Sequence, residues 1–144
     1  MIQADVALCT IYDGANAWAD FSNTNAIQNR YLYTRAMDEI LARLGNSGVL
    51  AWDLTDLLGS VRDLASGDGT TVIDHIKYDS YGNILAETAP ASGDRFKYTA
   101  REYDAATSQY YYRARYYNEG AGRFDSQDPL KFAAGGCKYF SICF

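Results

Sequence analysis

Short runs of β-forming residues, each closed by a turn signal, recur along the chain. The run Ala7 to Tyr12 is mostly apolar and ends at the dipeptide Asp13-Gly14. This dipeptide favours a tight hairpin because glycine accepts a positive φ at little cost. A polar loop at 22–25 precedes a second β-rich run, Asn29 to Thr34. The pattern predicts strand, turn and strand, with a hairpin spanning Ile11 to Thr34.

The same pattern continues through the middle of the chain. Val49 to Leu54 is short, apolar and aromatic, and it predicts another strand. Ser66 to Thr70 contains a second Asp-Gly turn signal and leads into the arm Thr71 to Tyr78. Both faces of that arm mix apolar and polar residues, so alternation alone does not identify its core face.

One segment, Thr34 to Leu44, fits two structures. Its apolar residues include Ala36, Ile40 and Leu41 at helical spacing, with Thr34 placed to cap the start and Gly45 the end. A β-strand is the alternative. The sequence leaves helix and strand open here.

A tyrosine followed by an aspartate recurs at strand ends. The pairs begin at Tyr12, Tyr78 and Tyr103, and Tyr117-Asn118 is a degenerate fourth copy. We expect each ring to pack against the next hairpin with its hydroxyl in water, while the Asp or Asn accepts hydrogen bonds from its own downstream backbone. Hairpins repeated in this way must stack to bury their faces, as in repeat proteins.

Composition narrows the function classes. The chain has 144 residues, 48% of them hydrophobic, and its 13 tyrosines and two prolines are typical of a β-rich globular domain or part of one. A net charge of −5 gives no general attraction for nucleic acid. No run approaches the roughly 18 apolar residues of a membrane helix, and the N-terminus lacks the positive charge of a signal peptide, so we predict no membrane span and no export signal in this chain.

Metal and disulfide chemistry are not expected. The three cysteines, Cys9, Cys137 and Cys143, form no C-x-x-C pair, and His75 is the single histidine. These spacings predict neither a zinc site nor a disulfide framework, and no cofactor is predicted. We expect His75 to be structural.

Four motifs in order carry a resemblance to a known family. They are LTDLLGSVRDL, DHIKYDSYGN, DRFKYTAREYDAATSQYYYRARYYNEGAGRF and DSQDPLKFAAGG. Together they resemble the conserved core of the RHS (rearrangement hotspot) or YD-repeat proteins, truncated at its C-terminal end. The resemblance divides the chain into a poorly defined N-terminal strand (1–10), the RHS repeat-associated core (11–136) and an atypical tail (137–144).

The resemblance implies a fold and a role. The expected fold is all-β, built from antiparallel β-hairpins of YD-repeat type that form a strip of a larger β-shell rather than a closed small barrel. In the family this shell encloses or presents a C-terminal toxin or effector and is secreted or attached to the bacterial surface. Several members also cut their own chain just beyond a D-P-x-G motif, using a pair of aspartates as acid and base.

The chain departs from the family pattern at residues that belong to this self-cleavage reaction. Asp128 and Arg115 are retained, and they are the candidate catalytic remnant. Asn118 stands where the family has an aspartate, and Lys131 replaces the glycine of D-P-x-G. An amide cannot transfer a proton near neutral pH, so we predict no enzyme activity. The favoured interpretation of Asp128 is a turn-initiating residue before Pro129.

The predicted function is therefore structural, as a fragment of an RHS-type shell without its effector. The alternatives are autoproteolysis after the DPLKF motif and a surface carbohydrate-binding or adhesion module that uses the tyrosines between Tyr110 and Tyr117. For those tyrosines we favour strand-to-strand packing. Expected partners are the rest of the shell or its effector, with cell-surface glycans under the adhesion alternative, and an isolated strip is expected to self-associate.

Overall fold

The computed structural model describes residues 9–35 and 38–129, and this part of the chain is all-β. Eight strands form one antiparallel meander, the main sheet, in the order in which they occur in the sequence. They are β1 Cys9–Asp13, β2 Asn16–Phe21, β3 Ile27–Tyr33, β4 Ile40–Gly45, β5 Leu50–Thr55, β6 Val61–Ser66, β7 Val72–Tyr78 and β8 Ile84–Glu87.

Four short strands form a second antiparallel sheet, the small sheet. They are β9 Glu102–Asp104, β10 Gln109–Tyr111, β11 Tyr116–Asn118 and β12 Arg123–Phe124. Neither sheet closes into a barrel, which confirms the predicted all-β, antiparallel fold class. The division into 1–10, 11–136 and 137–144 stays a prediction, since most of the first segment and all of the last lie outside the described residues.

The hairpin turns are where the sequence places them. Gly14 has φ of 62° between β1 and β2, and Gly69 has φ of 72° between β6 and β7, the left-handed region that favours glycine. Within the segment Thr34 to Leu44, residues 40–44 belong to β4, which runs antiparallel to both β3 and β5, so this part of the segment is strand and not helix. Leu32 pairs with Ala42 and Tyr33 pairs with Ile40, so Leu41 is the extra residue of a bulge that places Ile40 and Ala42 on opposite faces of the sheet.

Residues 89–101 cross one face of the main sheet, and we call them the strap. The strap contains one 3-10 turn, Tyr98–Ala100. Phe96 of the strap packs edge-on against Tyr31 and Tyr33 of β3, with ring centroids 5.0 and 6.3 Å apart. The amide of Val61 on β6 donates to the Lys97 carbonyl at 3.0 Å. The strap thus covers the inner face of the sheet from β6 to β3.

Two apolar clusters make the core. One lies between strap and main sheet and contains Ala17, Tyr31, Ile40, Val61, Phe96 and Ala100. The other joins strap and small sheet and contains Tyr98, Tyr110, Tyr117 and Phe124. On β7 the inner face carries Asp74 and Ile76, both buried, whereas a bulge between Val72 and Asp74 places Val72, which is 56% exposed, on the opposite face.

The opposite face of the main sheet carries an apolar row. Directly paired residues on neighbouring strands share a face, and the pairing connects five of them across β3 to β7. These residues, which we call the outer row, are Leu32, Ala42, Trp52, Ala65 and Val72. The two end residues, Leu32 and Val72, are 48% and 56% exposed. The outer row is therefore covered at its centre and open at both ends.

Candidate functional site

Three buried tyrosines grip one turn of the main sheet. The Tyr98 hydroxyl donates to the Ser80 carbonyl at 3.2 Å, that of Tyr117 to Tyr81 at 3.0 Å and that of Tyr110 to Gly82 at 2.8 Å. These are three successive carbonyls of the turn at 79–83, between β7 and β8, which we call the gripped turn. It therefore joins the small sheet and the strap to the main sheet.

Asp79 shapes the gripped turn from within. Its Oδ1 accepts from the amides of Tyr81 at 2.8 Å and Asn83 at 3.0 Å, and its Oδ2 accepts from Asn83 Nδ2 at 2.7 Å. Desolvation acts to raise the pKa of Asp79, but these hydrogen bonds outweigh it and hold the pKa below the usual aspartate value. Asn83 Nδ2 also reaches the Glu119 carbonyl of the small sheet at 3.2 Å.

The expected role of the acidic member is confirmed for two of the Tyr-Asp pairs. Asp79 and Asp104 both accept amides two residues downstream, Asp104 from Ala106 at 2.9 Å. The expectation for the tyrosine hydroxyls is wrong for Tyr78 and Tyr103, which are partly buried. Tyr78 donates to the Val61 carbonyl at 2.9 Å and Tyr103 to Glu119 Oε1 at 3.1 Å. Both hydroxyls therefore have a protein acceptor.

Arg115 and Asp128, the two predicted site residues, are brought together. Arg115 Nη2 lies 3.1 Å from Asp128 Oδ2, and the guanidinium carbon lies 3.7 Å from the Phe124 ring centroid. With Tyr112, Ala114 and Pro129 they line an open groove of about 440 Å³. The ion pair holds the chain just before residue 130 against the small sheet. The turn-initiating role of Asp128 before Pro129 stays a prediction.

Asn118 has a definite structural role. It ends β11, and its Oδ1 accepts from the Ala121 amide at 3.0 Å, as an aspartate would. The side chain next to it, Glu119, is 9% exposed, and burial raises the pKa of its carboxyl. Lys131, Cys137 and Cys143, which the sequence analysis also singled out, lie outside the described residues. The amide at 118 thus preserves the turn while removing an acid.

The five tyrosines from 110 to 117 lie in three settings. Tyr110 and Tyr117 are 0% and 2% exposed and belong to the core, as the packing interpretation expects. Tyr111 and Tyr116 form a cross-strand pair with ring centroids 5.3 Å apart, and Tyr116 is 47% exposed. Tyr112 is partly buried and packs edge-on against Phe124, with ring centroids 5.2 Å apart. Within this run the most exposed ring is that of Tyr116.

A row of buried aspartates that was not predicted from the sequence lies under the strap. Asp20 on β2, Asp53 on β5 and Asp74 on β7 are 1%, 5% and 1% exposed, and Asp94 of the strap is 5% exposed. Asp53 and Asp74 both lie across from Leu64 of β6, so they share the inner face. For the three aspartates in strands, Asp20, Asp53 and Asp74, the only signal in the sequence is strand alternation. The residues before and after each aspartate point to the opposite face of the sheet.

Basic residues meet this row from two elements. Arg95 of the strap lies 3.0 Å from Asp20 and stacks over the Tyr31 ring at 5.0 Å. Arg43 of β4 donates to the Gly93 carbonyl at 2.8 Å and the Ser92 carbonyl at 3.0 Å, and lies 3.6 Å from Asp94. Lys97 pairs with Glu87 of β8. Ion pairs at Asp94, Arg95 and Lys97 therefore fasten the middle of the strap to the main sheet.

The described residues hold no group of three or more ligands suited to a metal ion. His75 Nδ1 lies 2.6 Å from Asp63 Oδ1 across β6 and β7, which agrees with a structural role for the histidine. Within residues 9–35 and 38–129 no helix is long and apolar enough to cross a membrane.

Sequence comparison finds partial relatives, and no protein-family model matches the chain. Salivary gland surface protein 1 of Aedes aegypti is 36% identical over 64 residues, 43% of this chain and 2% of that protein. The tRNA(Glu)-specific nuclease WapA of Bacillus subtilis subsp. natto is 36% identical over 73 residues, 49% of this chain and 3% of that protein. The putative uncharacterized protein YibJ of Escherichia coli K12 is 33% identical over 60 residues, 41% of this chain and 26% of that protein.

Structure comparison covers nearly the whole chain. In the crystal structure of TcdB2-TccC3-TEV, a segment matches 98% of this chain with a TM-score of 0.71 at 19% identity. In the Photorhabdus luminescens Tc holotoxin pore, a segment matches 99% of it with a TM-score of 0.61 at 18% identity. The chain has the fold of a strip of these toxin chains. It spans 7% and 9% of their lengths, and the likeness fits the RHS-like shell that the motifs predict.

Proposed function

We propose that this chain is a wall segment of an RHS-type shell that encloses or presents an effector. The observation that carries the proposal is the eight-stranded meander of sequential hairpins, which matches one strip of a much larger chain over 98% of its own length. The buried ion pairs of the strap and the gripped turn hold the strip in shape. None of these contacts requires a small ligand.

The open sheet edges and the outer row favour another β-sheet strip as the partner. Among the described residues, β1 and β8 each pair with one neighbour only, so each leaves a row of backbone donors and acceptors for another strand. The outer row adds exposed Leu32 and Val72. The proposed partners are the adjoining strips of the shell and its effector, and the proposed location is outside the cell or at its surface, as part of a longer protein.

Light scattering coupled to size-exclusion chromatography tests this proposal. The 144-residue chain should elute as oligomers whose mass grows with concentration, because isolated strips pair through edges and the outer row. The double variant Leu32→Lys, Val72→Lys should shift the distribution toward monomer. Leu57→Lys is the matched control, since Leu57 is fully exposed in a turn away from the row. A wild-type chain that stays monomeric at every concentration would refute the proposal.

Autoproteolysis beyond Asp128 is a second candidate, favoured by one observation. The Arg115–Asp128 pair is formed and lines the groove at the end of the described chain. The second acid is absent at 118, so we propose that the reaction is lost. A denaturing gel of the folded protein should show a stable full-length band. The variant Asn118→Asp, Lys131→Gly asks whether cleavage returns, and cleavage of the wild-type chain would contradict the loss.

A further inference from the structure

Asp53 and Asp94 form a buried acidic pair beneath the strap. Asp53 projects from β5 and Asp94 from the strap, and each is 5% exposed. Both carboxylate oxygens of Asp53 and Oδ2 of Asp94 are inaccessible and accept no hydrogen bond in the described structure. A buried carboxylate without hydrogen bonds is strongly disfavoured in its charged form.

The charges around the pair do not balance. Asp53 faces Arg43 of β4 and Asp94 of the strap, while β6 presents Leu64 opposite it. Asp94 faces the same Arg43 and also Arg95, and it accepts the Phe96 amide at 3.2 Å. The Tyr31 and Tyr33 hydroxyls of β3 face Asp94 as well. Arg95 is already paired with Asp20 at 3.0 Å, so Arg43 is left to serve two carboxylates.

We propose that Asp53 and Asp94 retain one proton between them when the strap is closed, and that loss of this proton loosens the strap from the sheet. The pair would then be a proton-controlled latch. Arg43 is its fixed element, because it holds the Ser92 and Gly93 carbonyls as well as Asp94. A second buried negative charge at Asp53 competes for that same guanidinium.

The direction of the pH response follows from burial. Desolvation and the neighbouring Asp94 charge raise the pKa of Asp53 to about 8, from an ordinary aspartate value near 4. In the open strap Asp53 is hydrated and ionises at its ordinary pKa. Raising the pH from about 4 to about 8 therefore favours the open state progressively, and the effect ends once Asp53 is ionised in both states.

Amide hydrogen exchange of the 144-residue chain, read by mass spectrometry and corrected for intrinsic exchange, tests the latch. Protection of the strap should fall about tenfold per pH unit between roughly pH 5 and 7 and level off above pH 8. Asp53→Asn should make strap protection nearly independent of pH. Asp13→Asn is the matched control, because Asp13 is an exposed residue at the end of β1 and the same loss of charge there should leave the profile unchanged.

Two results would overturn the latch. One is a flat pH profile for the wild-type strap or an unaltered slope in Asp53→Asn. The other is an equal pH response in the strap and in β2 to β4, which would mean global unfolding. Carboxyl-carbon NMR of the wild-type chain decides the matter without a variant. One buried aspartate should titrate with a midpoint near pH 8, and titration of every aspartate below about pH 6 would refute the shared proton.

Discussion

Replacement of Tyr110 by phenylalanine isolates one hydrogen bond that holds the two sheets together. Tyr110 is fully buried, and its hydroxyl donates to the Gly82 carbonyl at 2.8 Å. Phenylalanine keeps the ring, which contacts Tyr103 with centroids 4.8 Å apart and Tyr98 at 5.9 Å. The carbonyl loses its side-chain partner inside the core. We expect Tyr110→Phe to lower the free energy of unfolding by about 1–2 kcal/mol, a factor of roughly 5–30 in the equilibrium constant.

Denaturant unfolding at one fixed protein concentration measures this loss. The midpoint should move while the slope stays constant, because the surface exposed on unfolding is unchanged. Tyr116→Phe is the matched control, since Tyr116 is 47% exposed and the same atom is removed. Its effect should stay within about 0.5 kcal/mol. Equal stability of Tyr110→Phe and Tyr116→Phe would refute the role assigned to the tyrosine grip.

Substitutions at three further residues, Gly82, Asp79 and Arg43, probe the gripped turn and the strap. Gly82→Ala should destabilise the fold by roughly 2–4 kcal/mol, since φ is 88° and the new Cβ would lie 2.6 Å from Tyr98 Cδ1. Gly48→Ala, with φ of 77° and no atom within 4 Å, should show only the smaller backbone strain in the same unfolding assay. Asp79→Ala should lower stability by about 1 kcal/mol or more through the lost turn amides, and Asp79→Asn by less. Arg43→Met should loosen the strap, because it removes the ion-pair partner of Asp94. The expected loss in the free energy of strap opening is about 3–5 kcal/mol, measured by hydrogen exchange of the strap. Wild-type protection in that variant would contradict the role of this ion pair.

Local structure could be predicted from the sequence because local chemistry decides it. The turn after Asp13 follows from one glycine, and the turn after Asp79 follows from an aspartate that bonds its own backbone. The segment around Ile40 stayed open because a short apolar run fits both periods. Pairing of β4 with β3 and β5 decides it for the strand, and that pairing is a contact between distant parts of the chain.

The candidate site could be predicted only in part. Arg115 and Asp128 are named by motifs in one short stretch of chain, and they form an ion pair. The pairing of Asp94 with Arg43, and its proximity to Asp53, depends on the path of the strap across the sheet. No local pattern encodes that path, and an aspartate in a mixed strand is indistinguishable from an exposed one until the opposite face is covered.

The central claim is that these residues form one strip of a longer β-shell. A cryo-electron microscopy structure of the natural gene product that contains this sequence tests it most directly. The account predicts that β1 or β8 of the main sheet pairs with a further strand and that the outer row is in contact with protein at its Leu32 or Val72 end. A main sheet that stands alone in that structure, with both edges and the outer row in solvent, would contradict it.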